Sequence, residues 1–551
     1  MGEICDFIFG AVSAASSSVA TRPLSLAEAA VPNKLAARAV AQSKRLAQPK
    51  LLAQPKLQAQ PRAASMPYIF NCSNLLCLPP EIVDHIYFAI MLVANFLNCL
   101  VALASVWRVI RRQPLCRPHD ADDERLPDDH APPMSVVVAC YLPNEQTIIE
   151  STIEHIMFKL EWSADLNLHI VYNTPSALPF EATLKRLEGG QFPPGRTLRV
   201  TKVDGSTSKA QNLNHILPRI EDEYVVLYDA DHHPNPNSLR RLASALLRSD
   251  YVAMQGSTYI RNTRGSVLAR AVDAEFFVTH FIYFPAMEIL GGTGYFGGSN
   301  ALWRAGVLRQ YPFDQTTLTE DVDVSARVLL DGHRVGFCPK ARSGELSPAG
   351  TRALVAQRLR WFMGWEQVTH KYYWQVLGAS LSCRRKTGFC YLFHLRWFLL
   401  FAAVLAAVIN PVITSPYVYP LFSWSLEVQV CVLTAVVLYA FVGALALHHS
   451  NVYEEPRKQP MAMLSIIFFF IVGWLYVVIH FTLQTIAFVK VFLGKEGGWE
   501  VTARLTVGTS PAVGLTAAKP SAASAAVAAG TLTEPLLVRT TRDEEGGAIA
   551  I

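Results

Sequence analysis

Two carboxylates stand one residue apart at Asp229-Ala230-Asp231, directly after the apolar run Tyr224-Val-Val-Leu-Tyr228. Side chains just past a buried strand project toward a ligand cleft. Their oxygens suit Mg2+ or Mn2+, ions that bridge diphosphate oxygens and stabilise charge on a leaving nucleotide. A solvated turn would carry the same residues. The neighbouring His232 and His233 do not make a zinc site, because adjacent side chains rarely converge on one ion and no cysteine is near. A second acidic group, Thr319-Glu320-Asp321-Val322-Asp323, precedes the helical run Ser325–Asp331. Acids in a first helical turn favour the helix dipole with no further purpose. A carboxylate there could also take a proton from an acceptor hydroxyl as a general base.

A third group lies in Gln357-Arg358-Leu359-Arg360-Trp361-Phe362-Met363-Gly364-Trp365. Gln357, Arg360, Trp361 and Gly364 fall at helical spacing, so one face presents an amide, a guanidinium and an indole. These suit sugar hydroxyls, a diphosphate and a pyranose ring face. An amphipathic interfacial helix fits the same residues. A fourth group, Gly291-Gly-Thr-Gly-Tyr-Phe-Gly-Gly-Ser-Asn300, holds five glycines and a formal GxGxxG. It follows an aromatic-rich helical stretch rather than the first strand of a βαβ unit, so a dinucleotide site is rejected. Close approach of backbone to a ligand explains the glycines better than a plain turn does.

The elements that must position these groups read as α/β. Met134–Tyr141 is a short, nearly continuous apolar run, and Leu168–Tyr172, Thr197–Val203 and Tyr224–Tyr228 read as further strands, with helical stretches between several of them. Such alternation predicts a doubly wound, mostly parallel sheet over 134–376, with ligands at the carboxyl ends of its strands. Apolar residues make up 51% of the chain and charged residues 17%, against roughly 25% charged in soluble domains. The excess is concentrated outside 134–376. Ile82–Val109 reads as a transmembrane helix whose basic end (Arg108, Arg111, Arg112) faces the cytosol. Residues 394–493 read as further transmembrane helices, with apolar blocks at Trp397–Ile413, Val428–Leu447 and Met461–Val491. The last block is longer than one crossing needs, which leaves the number of crossings open. Residues 1–66 and 506–551 are low in complexity and read as disordered, and 113–133 reads as a Pro- and acid-rich linker. A net charge of +5 without a basic, aromatic-interleaved run excludes a nucleic-acid partner. Ten cysteines without a CxxC pair argue against a zinc ribbon.

In their order these groups resemble the family-2 inverting glycosyltransferases, especially membrane-embedded processive β-glycan synthases of the cellulose, curdlan and hyaluronan synthase type. Pro143-Asn144-Glu145, Ser208-Lys209-Ala-Gln-Asn-Leu-Asn214, Asp229-Ala-Asp231, Phe296-Gly-Gly-Ser-Asn300, Thr319-Glu-Asp321 and Gln357-x-x-Arg360-Trp361 carry the likeness. The resemblance implies a GT-A-type fold flanked by transmembrane helices, with these roles. Glu145 lies near the nucleotide base and Lys209 near the diphosphate. Asp229 and Asp231 hold the nucleotide sugar, with Asp231 on a Mg2+ or Mn2+ ion. Asp321 is the general base, and Gln357, Arg360 and Trp361 hold the acceptor end and the donor diphosphate. Trp499, Val501 and Thr502 look like the gating-loop motif of cellulose-synthase-type enzymes, within a segment 494–505. One departure stands out. Where the family carries an acidic pair after the second strand, this chain has Tyr172-Asn173-Thr174-Pro175, so Asn173, or Asp204 after strand three, would meet the base.

The expected function is polymerisation of a β-glycan, a β-glucan from UDP-glucose in the leading reading, with inversion at the anomeric carbon. Expected partners are a UDP-sugar, the growing glycan chain and the lipid bilayer, and a homo-oligomer is compatible. The expected location is a multi-pass protein of the plasma membrane or Golgi with a cytosolic catalytic domain. A single-transfer enzyme acting on a ceramide or polyprenyl phosphate, and an inert scaffold or transporter subunit, stay open beside it.

Overall fold

A computed structural model describes residues 80–112, 131–394, 397–398, 430, 476 and 478–495. Helix α1 covers Pro80–Arg112. Then follow β1 (Met134–Tyr141), α2 (Ile149–Lys159), β2 (Leu166–Asn173), α3 (Phe180–Glu188), β3 (Arg196–Lys202), α4 (Lys209–Ile216) and β4 (Tyr224–Asp229). After the short β5 (His233–Pro234) come α5 (Ser238–Leu247), β6 (Ala253–Ile260), α6 (Val267–Val278), a π-helical turn at Thr279–Tyr283 and α7 (Phe284–Gly291). The remainder is β7 (Ala301–Arg304), α8 (Glu320–Leu330), β8 (Val335–Glu345), α9 (Thr351–Gly378), α10 (Cys383–Phe389) and a helical stretch at 478–492.

The strands form one sheet in the order β3-β2-β1-β4-β7-β6-β8-β5. Pairing is parallel from β3 through β4 and again between β6 and β8. It is antiparallel where β7 joins β4 to β6 and where β5 meets β8. This is a GT-A-like, mixed sheet, more mixed than the mostly parallel one expected. The four-residue β7 is too short to show a period of its own, and its direction is set by the glycine-rich segment before it.

Alternation along β1 sorts its side chains to two faces. Val136 and Val138 pack with Ile149, Ile153 and Leu242 of α2 and α5. Val137 and Ala139 pack with Leu213 of α4, Val324 of α8 and Val368 of α9. The register pairs Tyr141 with Asn173 and Ala139 with Asp229, so the polar ends of β1, β2 and β4 share one edge of the sheet. Helix α8 begins at Glu320, five residues before the expected start, so its acids occupy the first turn. Helices α7 and α10 cross with bare backbone in contact. A Cβ on Gly291 would lie 2.9 Å from the Gly388 Cα, and one on Gly388 would lie 2.5 Å from the Gly291 Cα.

The expectation of a multi-pass membrane protein is overturned: among the described residues no helix is long and apolar enough to cross a membrane. Within α1, the 82–109 span expected from the sequence is interrupted by Asp84, His85, Asn95, Asn98 and Arg108. One of its sides instead packs on the domain, with Val101, Ala102 and Ala104 against Phe281, Ile282 and Ala286. Ser105 Oγ donates to the Phe281 carbonyl at 3.1 Å. Arg108 is buried, with Nε 2.7 Å from Glu288 Oε2 and Nη2 2.8 Å from the Phe337 carbonyl. Residues 1–66, most of the 113–133 linker, most of the 394–493 blocks, the Trp499, Val501 and Thr502 motif and the tail from 506 lie outside the described residues.

Removing one partner of a buried ion pair leaves an uncompensated charge, at a cost of about 3–5 kcal/mol. Glu288→Ala is therefore predicted to lower unfolding free energy by that order in urea titration. The double variant Arg108→Met/Glu288→Met should recover most of the loss. Equal destabilisation by the single and double variants would show that the pair does not hold α1 to the domain.

Candidate active site

The polar strand ends open into a cavity of about 330 Å3, within the range of small-molecule sites. Of the residues singled out in the sequence, Glu145, Asn173, Lys209, Asp229, Asp321, Gln357, Arg360 and Trp361 all line it. Asp231 does not. It is 2% exposed, and its Oδ2 accepts the Leu346 N–H at 3.1 Å. Asp204 is exposed and also absent from the lining.

At the β1 end, Glu145 Oε2 accepts the Tyr141 N–H at 2.8 Å and closes the turn that carries it. Asn173, at the end of β2, is committed inside the fold. Its Nδ2 donates to the Ser206 carbonyl at 2.9 Å, and its Oδ1 accepts from Asn212 Nδ2 at 2.8 Å. The amide thus ties β2 to α4, whose first residue is Lys209. Ser208 caps that helix by accepting the Gln211 N–H. Lys209 Nζ then reaches Asp229 Oδ1, the Gly298 carbonyl at 2.9 Å and Glu320 Oε1 at 3.8 Å. Burial opposes the ammonium charge, but Asp229 and Glu320 outweigh it and raise the pKa above the usual lysine value.

Asp321 sits in the first turn of α8. Burial first, and Glu320 second, push its pKa up to about 7, against the pull of Lys209. Gly298, at φ +90°, makes room for it, since a Cβ there would lie 2.7 Å from Asp321 Oδ2. The turn is fixed from the other side by α9. A Cβ at Gly364 would lie 2.5 Å from Thr319 Oγ1 and 2.8 Å from its backbone nitrogen. Asp323, fully buried, accepts from Arg327 Nε at 2.8 Å, Lys371 Nζ at 2.6 Å and Tyr372 Oη at 2.8 Å. Gln357 Oε1 accepts from Arg358 Nη1 at 2.6 Å, and Arg360 Nη1 donates to the Leu318 carbonyl at 3.3 Å.

Among the described residues no group of three or more His, Cys, Asp or Glu side chains could hold a metal ion. Mg2+ and Mn2+ ordinarily take one or two carboxylates and complete their shells with water and substrate phosphates. Of the Asp229–Asp231 pair only Asp229 lines the cavity, so the structure presents one carboxylate of the expected donor pair to it.

Several lining residues were not singled out in the sequence. Glu275 and Phe276 of α6, His280 of the π turn, Phe284 of α7, Tyr295 and Trp365 form an aromatic end to the cavity. Arg358 is buried and bonds Glu275. The one usable signal was the acid pair Asp273 and Glu275 in the otherwise largely apolar, aromatic-rich run Ala271–Phe284.

Residues 132–364 match the family described as Glycosyltransferase like family 2. Over that span, which holds the sheet and nearly all of the cavity lining, the chain resembles glycosyltransferase family 2. The curated relatives it matches are named as sugar-polymer synthases and mannosyltransferases, and the chain spans about a fifth of the length of the first of them. A cellulose synthase of Novacetimonas hansenii is 24% identical over 310 residues, 55% of this chain but 18% of that protein. A poly-β-1,6-N-acetyl-D-glucosamine synthase of Staphylococcus epidermidis is 21% identical over 369 residues, 66% of this chain and 85% of that protein. Among solved structures, a mannosyltransferase from Pyrobaculum calidifontis, in complex with GDP-mannose and Mn2+, has a TM-score of 0.43 at 18% identity. It covers 69% of this chain and 99% of its own. Residues 132–364 contain every lining residue named above except Trp365.

Because Gly364 touches the backbone of Thr319, Gly364→Ala is predicted to displace the turn that carries Asp321. Sugar transfer should fall about 100-fold, the effect of moving a reacting group by about 1 Å, with little change in melting temperature. Transfer at the wild-type rate in Gly364→Ala would refute the contact's importance.

Proposed function

We propose that this enzyme polymerises a β-linked glycan from a UDP-sugar, UDP-glucose being the leading donor, with inversion at the anomeric carbon. The observation that carries this reading is the convergence of Lys209, Asp229, Asp321, Gln357, Arg360 and Trp361 on one cavity. The relatives supply the product class, since they are named for cellulose and for a β-1,6-linked N-acetylglucosamine polymer.

In this reading Glu145 and Asn173 shape the end that receives the nucleotide, and the Lys209 ammonium faces the diphosphate. Asp229, which lines the cavity, would meet the nucleotide sugar, and a Mg2+ or Mn2+ ion at Asp231 would when bound offset negative charge on the departing diphosphate. Gln357, Arg360 and Trp361 hold the acceptor end of the growing glycan beside the donor sugar. The acceptor oxygen bonds to the anomeric carbon as the bond from that carbon to the diphosphate oxygen breaks. Asp321 takes the acceptor's hydroxyl proton, and UDP departs with the bonding electron pair. Attack on the face opposite the leaving group turns an α-linked donor into a β-linkage.

As a base, Asp321 works only when ionised. Transfer is therefore predicted to decline as pH falls through about 7 and to level off above it. Lys209 lowers the Asp321 pKa, so Lys209→Met should move this acid limb to higher pH as well as weaken donor binding. The check is initial rate against pH, using full-length protein, Mn2+ and radiolabelled UDP-glucose, UDP-N-acetylglucosamine or GDP-mannose. Asp321→Asn should lose about 10²–10⁴-fold in rate, and products should be sized and digested with linkage-specific glycanases. Polymer that Asp321→Asn makes as well as wild type would remove Asp321 from its role. A short product from every donor would replace polymerisation with single transfer.

A further inference from the structure

The cavity's aromatic end holds a carboxylate that the transfer chemistry does not use. Glu275 Oε2 accepts from Arg358 Nη2 at 2.8 Å, Arg358 Nε at 3.2 Å and Tyr476 Oη at 2.6 Å, and His480 Nε2 lies 3.9 Å away. Among the described residues no donor bonds Oε1, although the side chain keeps 21% exposure on a residue that lines the cavity. One oxygen is thus fully occupied and the other is left to a ligand.

The surroundings state what kind of ligand. Arg358 neutralises the carboxylate, so a metal ion or an organic cation gains little there. The Arg358 guanidinium lies 4.1 Å over the Trp361 ring and bonds Gln357, so Glu275 is joined to two of the three residues assigned to the acceptor end. Phe276, Trp361 and Trp365 supply flat apolar faces in the same part of the cavity. Ring faces beside an acceptor-only oxygen suit a sugar, whose C–H face stacks while its hydroxyls donate. Tyr476 and His480 lie beyond residues 132–364, Tyr476 two residues before the 478–492 helix and His480 within it. Their rings stand 4.5 Å apart, and His480 meets Phe362 of α9 edge-on at 5.5 Å.

We propose that Glu275 recognises the acceptor glycan by accepting hydroxyl hydrogens on Oε1, and that Tyr476, from outside residues 132–364, positions it. This rests on the acceptor-end assignment of the proposed function. Glu275 contacts the acceptor, whereas Tyr476 acts through Glu275. Replacing Tyr476 should therefore affect the acceptor and spare the donor.

The test is steady-state kinetics of the full chain with UDP-glucose and cellotetraose, repeated with GDP-mannose and mannotetraose and with UDP-N-acetylglucosamine and chitotetraose. Glu275→Gln is expected to raise acceptor KM about ten-fold or more, the effect of weakening a hydrogen bond to a charged group. Donor KM should stay within about two-fold. Tyr476→Phe leaves the Glu275–Arg358 pair intact and should raise acceptor KM about three- to ten-fold, again without moving donor KM. Melting curves accompany both, and Tyr476→Phe decides the matter if Glu275→Gln fails to fold. Unchanged acceptor KM in Tyr476→Phe, or a parallel rise in donor KM, would overturn the proposal and leave the glycosyltransferase reading standing. No turnover of any donor by the wild type would overturn both.

Discussion

Crowded negative charge is the constraint on which the site depends. Asp229, Glu320, Asp321 and Asp323 come together where the end of β4 meets the start of α8, and such carboxylates cannot all be ionised unless cations are built in among them. Lys209 answers on the cleft side, touching Asp229 and Glu320. Lys371 and Arg327 answer on the buried side, where they meet Asp323. Asp321 is the acid left least compensated, and burial first, with Glu320 beside it second, raises its pKa. The division of labour among four similar residues thus follows from where three cations stand.

Those cations are delivered by separate elements, which explains the fold's investment in tying them down. Lys209 is placed by the Ser208 cap and by the Asn173–Asn212 amide pair between β2 and α4. Lys371 rides on α9, which also carries Gln357, Arg360 and Trp361. Helix α9 therefore orients the acid-bearing turn and walls the cavity at the same time. The absence of a side chain at Gly364 is what lets it come near enough to do both.

Much of this was legible in the sequence, for physical reasons. The strands β1, β2 and β4 are short, largely apolar runs that end in polar groups, and the parallel register of the first four strands brings Glu145, Asn173, Lys209 and Asp229 to one edge of the sheet. Gln357, Arg360 and Trp361 were readable from helical spacing. What escaped depended on contacts distant in sequence. The direction of β7 comes from a loop rather than from its own four residues. Asp231 and Asp229 look equivalent as a motif, yet only Asp229 lines the cavity, because the Leu346 N–H, 115 positions on, engages Asp231. Arg358 was passed over because its partner Glu275 lies on another helix. In α1, the apolar stretch read as a crossing, while Arg108 answers to Glu288 across 180 positions. Hydropathy, averaged over a window, cannot register a partner that far off.

The crossing of α7 and α10 at Gly291 and Gly388 has a bearing on descent. Where two chains of backbone touch directly, the positions share a single history. A lineage that acquired a side chain at one of them would first have to shift a whole helix at the other. Neither can drift alone, so among diverging relatives that keep this crossing the pair should persist as a fossil of the packing, even where the residues around the cavity have been rewritten for another sugar.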